Sequence, residues 1–257
     1  MWRIVTWLLA GIFSITLTAL IFFPASWLGA IVQAQSMGRL TLGDAQGSIW
    51  QGSAFIAGAA HNNEPASALL PGRFAWQISP VILLGQTDVK ILNSEVLSQA
   101  IHLTGGWSQW QVSASEISMG AERLSSLGAP LNTIQPTGRM RLSWQPLQLA
   151  RQNRMIEVNG TINLEINDIA SRLSPVKPLG SYNLDMEWNG PQAKLLLRTI
   201  KGAMLLDGNG VLSNGHLQFS GTARAAEGQQ EKLANFLNLL GQRRQQNGHE
   251  VISLEFR

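Results

Sequence analysis

The chain has 257 residues, 45% of them hydrophobic and 14% charged, and its 19 basic and 16 acidic side chains leave a formal charge of +3. The two signs are interspersed without a long run of Lys and Arg, which excludes a nucleic-acid footprint or a polybasic lipid-binding tract. There is no cysteine, so disulfides and thiolate chemistry are excluded as well.

The first predicted element lies in "MWRIVTWLLAGIFSITLTALIFFPASWLGAIVQAQS". From Ile4 to Phe23 every residue is apolar or a small hydroxyl that can bond back to its own helix. At ~1.5 Å per residue such a stretch crosses the ~30 Å of bilayer hydrocarbon, and it exceeds the ~7–15 apolar residues usual in a cleavable signal. Val32-Gln33-Ala34 is a small-x-small pattern that a signal peptidase could accept, but it lies well past Pro24. The expectation is therefore a retained anchor at 1–30, with a transmembrane helix at about 4–23, followed by a domain at 31–257. Arg3 precedes the span and the next charge is Arg39, so the positive-inside bias predicts a cytoplasmic N-terminus and a translocated domain. Trp2, Trp7 and Trp27 lie near the two ends of the span, where indoles favour the interface. Gly11, Ser14 and Thr18 recur at about one turn and would let another helix approach closely.

Beyond the anchor the chain reads mostly as strands. Phe74, Trp76 and Ile78 alternate with Arg73, Ala75 and Gln77; Ile156, Val158, Ile162, Leu164 and Ile166 alternate with polar neighbours, as do Tyr182, Leu184, Met186 and Trp188, and then Leu217 and Phe219. Period two with one polar face predicts an antiparallel sheet, and the Asn-Gly and Asp-Gly pairs at 159, 189, 207, 209 and 214 predict hairpin corners or bulges of a meander. "AERLSSLGAPLNTIQP" and "ASRLSPVKPLG" read as short helical or irregular connectors, and the first is expected near 120–137 between two halves of the sheet. Those halves share a weak repeat, "PGRFAWQISP" at 71–80 and "TGRMRLSWQP" at 137–146, which chance explains as well as duplication. Leu233, Phe236, Leu237 and Leu240 have helical spacing, which predicts one helix near 229–240 capped by Gly241. Arg243-Arg244 is expected at that helix end, and "HEVISLEF" reads as a last strand with Ile252, Leu254 and Phe256 on one face.

No motif assembles a reaction. His61, His102, His216 and His249 are scattered without metal-ligand spacing, "GDAQGSIWQG" lacks the Gly-Lys-Ser/Thr of a phosphate loop, and no Gly-x-Ser-x-Gly elbow is present. Asn159-Gly160-Thr161 matches a glycosylation sequon but reads as a turn, and Asp185 and Glu187 fit a solvated strand face. Trp50, Trp76, Trp107, Trp110, Trp144 and Trp188 are the features most open to a functional reading. Trp50, Phe74, Trp76, Trp144, Leu184, Trp188 and Phe219 are expected either to fill a core or to line a groove on the apolar sheet face.

The successive blocks "GSIWQGSA" (47–54), "FAWQISPVILLGQTDVKI" (74–91), "PTGRMRLSW" (136–144), "PVKPLGSYNLDM" (175–186) and "LLDGNGVLSNGHLQFSGTARA" (205–225) carry a family likeness in their order and spacing. The chain resembles the N component of the type II (general) secretion pathway. The resemblance implies a single-pass inner-membrane protein of a Gram-negative cell, with a periplasmic β domain of curled antiparallel sheet serving export of folded proteins. It implies no enzyme activity and no cofactor, with the bilayer and other secretion components as partners. That family is in turn similar to AsmA-like envelope proteins, which implies as the alternative a carrier holding a lipid in a groove. No nucleic-acid partner is expected, and oligomeric state is not legible.

Overall fold

The computed structural model describes residues 2–36, 38, 40–58, 67–68, 70–127, 131–152, 155–213, 216–246 and 249–256. Two helices come first, α1 (Trp2–Ile21) and α2 (Ser26–Gln35), separated by Pro24. The strands β1 (Leu40–Gly47), β2 (Gln51–Gly58), β3 (Ser67–Ala68), β4 (Phe74–Ile78), β5 (Thr87–Leu92), β6 (Ile101–Gly105), β7 (Gln109–Val112) and β8 (Ser115–Gly120) follow. A 3-10 segment Ala121–Leu127 and the one-turn α3 (Leu131–Ile134) connect β8 to β9 (Pro136–Trp144) and β10 (Leu147–Gln152). Next come β11 (Met155–Ser171), β12 (Gly180–Gly190), β13 (Gln192–Gly202), β14 (Met204–Ser213) and β15 (His216–Ala225). The chain closes with α4 (Gln230–Asn238), β16 (Gln242–Gln246) and β17 (His249–Phe256).

All pairings are antiparallel and make one meander. It runs β1, β2, β4, β5, β6, β7, β10, β11, β12, β13, β14, β15, β17 and β16. β8 continues β7 after a break at 113–114, β9 leads into β10 after a break at 145–146, and β8 and β9 pair with each other. β11 spans both segments, pairing with β10 before Gly160 and with β9 after it. These breaks lie side by side and form a crease, which Trp144 bridges by donating its indole N–H to the Ser113 carbonyl at 2.9 Å. The sheet is open: among the described residues β1 pairs only with β2, and β16 only with β17.

Alternation places the apolar residues of β9, β11, β12 and β15, with Ala193, Leu195 and Leu197 of β13, on one face, in register across Leu142, Leu164, Leu184 and Leu197. The opposite face is a polar ladder, in which Arg141 meets Glu165, and Asp185 meets Arg198 at 2.6 Å. Asp185 and Glu187 thus belong to a solvated face, as their parity predicts. The Arg198 guanidinium, with Asn163 and Asn183, holds the Asp185 carboxyl below the usual carboxylate range.

Two buried clusters occupy opposite ends of the sheet. At one end Leu233, Phe236 and Leu237 of α4 pack on Leu179, Tyr182, Met204, Ala223 and Ile252. At the other, Ala25, Ala54 and Trp76 pack with Leu28 of α2 and Leu42 of β1.

Several expectations change. Asn159-Gly160 is no corner but lies inside β11 at the crease, and Asp207-Gly208 and Asn209-Gly210 lie inside β14. Gly208 is there for close approach: a Cβ would meet the Phe219 ring at 2.6 Å and Gly221 Cα at 2.8 Å. Asn189-Gly190 does end a hairpin, whereas Asn214-Gly215 lies outside the described residues. α4 stops at Asn238 with Leu239 as its C-cap, so Gly241 does not cap it. Arg243 and Arg244 are exposed on edge strand β16 yet stay near the helix end, as expected: Arg243 donates to the side chain of Asn238, the last residue of α4, while Arg244 bonds Glu255 at 3.0 Å.

Candidate functional site

The residues that come together most specifically are at the end of α1. Ile4–Ile21 is long and apolar enough to cross a membrane, and none of its described residues is buried inside the protein. Gly11, Ser14 and Thr18 are exposed, with nothing within 4 Å of a Cβ placed on Gly11. Ile4 and Trp7 are 66% and 76% exposed, and the backbone of Arg3 lies in the same helix. This helix ends against the β1–β2 hairpin. The Trp50 indole N–H donates to the Leu20 carbonyl at 2.7 Å, the Ile49 amide to the Phe23 carbonyl at 2.8 Å, and the Ala25 amide to the Gly47 carbonyl at 3.1 Å. The last carbonyls of a helix have no partner within it, and here the Trp50 side chain supplies one for Leu20, while the two backbone bonds hold the segment that follows the helix to the hairpin. Phe23 and Trp27 pack against each other across Pro24, with ring centroids 5.1 Å apart and planes tilted by 51°, where the chain turns into α2.

The hairpin is itself held from behind. Trp76, 9% exposed, donates to the Ile49 carbonyl at 3.0 Å, and the Ile78 amide bonds the Trp50 carbonyl at 2.7 Å. A side chain at Gly52 would put its Cβ 2.5 Å from the Trp76 ring and 2.6 Å from the Gln46 carbonyl, so only hydrogen fits there. Arg73 braces the β1 bulge: its guanidinium contacts the Asp44 carboxylate and carbonyl and the Ser53 carbonyl, and lies 4.7 Å over the Phe55 ring. That cation holds the Asp44 carboxyl below its usual range, assisted by Gln46.

The expected core or groove residues divide. Phe74 and Trp76 are buried, and Trp144, Leu184, Trp188 and Phe219 are half-buried on the apolar face. Trp50 leaves that set, because it serves the helix junction. Trp107 is 71% exposed and neither fills a core nor lines the apolar face, whereas Trp110 bonds Thr87 at 3.0 Å. Arg73 and Gly52 escaped the reading by residue type. The Gly-x-x-Trp-x-Gly spacing of Gly47, Trp50 and Gly52 was the available signal.

A hollow between α4, β15 and β17 measures about 110 Å³, below the ~300–1,000 Å³ of small-molecule sites. Larger hollows along 196–209 and 209–220 lie open to solvent. Among the described residues no three His, Asp or Glu side chains are grouped to hold a metal ion. His102 and His216 are exposed on strands, and His61 lies outside the described residues.

No curated protein and no solved structure matches the chain. The sequence model of the family described as type II secretion system (T2SS), protein N, matches residues 38–252, from just before β1 into β17, and so takes in the Gly47–Gly52 hairpin and nearly the whole sheet. A match over that much of the chain shows the family: the chain belongs to the type II secretion system protein N family.

Proposed function

We propose that the protein is a non-enzymatic, inner-membrane-anchored subunit that helps assemble or stabilise the type II secretion apparatus, with its sheet domain in the periplasm. The observation that supports this most is the junction: an apolar helix that the domain leaves bare is hydrogen-bonded at its end to a braced hairpin. Three bonds and a proline at that joint make a mounting and not a flexible tether, so the orientation of the sheet follows that of the helix. A bare helix and a laterally open sheet offer two surfaces to partners, one within the bilayer and one beside it. The arginine before the span and the lack of charge until Arg39 support a cytoplasmic N-terminus.

In-cell photocrosslinking from Ser14 in α1 and Gln245 in β16 tests this reading. Adducts to other secretion components are expected from at least one position, together with activity of a C-terminal reporter that works only outside the cytoplasm. A silent reporter, or normal secretion by a deletion strain together with the absence of such adducts from the crosslinker-bearing protein, would refute it.

A further inference from the structure

The connections between strands fall at two ends of the sheet, and the first three at one end form a row that begins at the exit of α1. The β1–β2 turn holds Leu20 through Trp50, and Trp50 in turn holds Ile78. Two residues after Ile78 begins the 3-10 segment Pro80–Leu84, "PVILL", which links β4 to β5. It buries nothing: Val81, Ile82, Leu83 and Leu84 are 36%, 38%, 53% and 79% exposed. Thr87 pairs with Gly105, and Gly105 with Trp110, so the β6–β7 turn carrying Trp107 lies at the same end. The two loops touch. Gly85 stands in the left-handed region at φ +87°, and a Cβ there would fall 2.0 Å from the Trp107 ring, so the indole lies directly on the Gly85 backbone. The segments 48–52, 79–86 and 105–110 contain no charged residue.

Contiguous exposed apolar surface of this kind marks an interaction site. Its place beside the exit of an apolar helix names the occupant. We infer that Pro80–Leu84 and Trp107 form a second membrane contact, seated in the interfacial layer of the leaflet from which α1 emerges. Leucine side chains reach the acyl boundary there, and an indole favours the headgroup level. The absence of charge removes the desolvation cost that would otherwise hold these loops off the bilayer. The inference rests on the reading of α1 as a membrane span and adds to it. With helix and loops both engaged, the sheet stands at a set attitude to the membrane and does not swing about a single point.

Because the chain has no cysteine, one can be placed at will. The full-length variants Leu84→Cys, Trp107→Cys and, at the far end of the sheet, Leu173→Cys are labelled with a small fluorophore. They are reconstituted into phosphatidylethanolamine–phosphatidylglycerol vesicles containing lipid brominated near the top of its acyl chains. Labels at Leu84 and Trp107 are expected to lose at least half their emission, and the label at Leu173, itself an exposed leucine, to keep it. Adding Leu83→Glu to the Leu84→Cys chain should restore most of that emission while the protein still resists alkaline extraction. Retention under alkali with Leu84 as unquenched as Leu173 would overturn this inference and leave the anchor intact. Release by alkali would overturn the anchor reading and this inference with it. A label open to solvent in pure lipid but shielded in native membranes would assign the patch to a protein partner instead.

Discussion

Tyr182 shows how one side chain ties strands together. It is the only tyrosine in the chain, 2% exposed, and its hydroxyl donates to the Met204 carbonyl at 2.9 Å. Burial pushes its pKa well above the ordinary tyrosine value. The folded state therefore holds this proton more tightly than the unfolded chain. The associated stability is complete below the unfolded pKa of ~10 and is lost progressively as pH rises beyond it. A spectrophotometric titration reads this residue alone: urea-unfolded protein should form tyrosinate near pH ~10, and the folded protein should not. Half-ionisation at that pH in the folded state would contradict the buried hydrogen bond. Gly52 offers a second test, at the junction. A Gly52→Ala methyl meets two backbone carbonyls within 3 Å as well as the Trp76 ring, and carbonyls cannot move aside as a side chain can. Overpacking of that kind costs ~1–3 kcal/mol. Urea unfolding should show it as a lowered midpoint, whereas Gly106→Ala, with nothing within 4 Å, should stay near wild type.

Among the elements, the two edge strands carry the clearest marks of their position. An unpaired strand edge is a template for another chain, and charge or a bulge blunts it. β1 has its register shift between Gly43 and Gln46, with Asp44 at φ +47° clamped by Arg73. β16 reads "QRRQQ", a strand of low β-propensity with two cations at its centre. Their position also keeps the pair of arginines near the helix end, as the sequence suggests: α4 ends only a few residues earlier, and the turn between is short. Replacing Arg243 and Arg244 with valine should leave the β16–β17 pairing intact and promote edge-to-edge association. Sedimentation velocity would detect it as a concentration-dependent dimer, and a strictly monomeric variant would show that the cations do not guard the edge.

For the whole molecule, the period-two pattern identified the strands because a sheet with one wet face must alternate, and the five-residue run from Phe74 appears as written in β4. The same local logic located α4 and the apolar α1, whose signals repeat within a few turns. It failed where glycine serves a neighbour. Gly160, Gly208 and Gly210 look like turn residues in isolation, yet they admit Leu147 and Phe219 from other strands, and that contact is invisible to a reading along one strand. Trp50 and Trp107 stand apart for a related reason: residue type suggests a core or a groove, but both follow strand ends, where the next contact is decided by what stands at that end of the sheet. The sequence by itself determined an apolar N-terminal helix, a β-rich remainder, one amphipathic helix and the absence of cysteine chemistry, since each depends on composition or short-range period. Tertiary structure alone decided that the Gly47–Gly52 hairpin grips the end of α1, and that "PVILL" and Trp107 share the same end of the sheet. Antiparallel pairing joins residues tens of positions apart, and such neighbours are set by register rather than by anything written beside them in the chain.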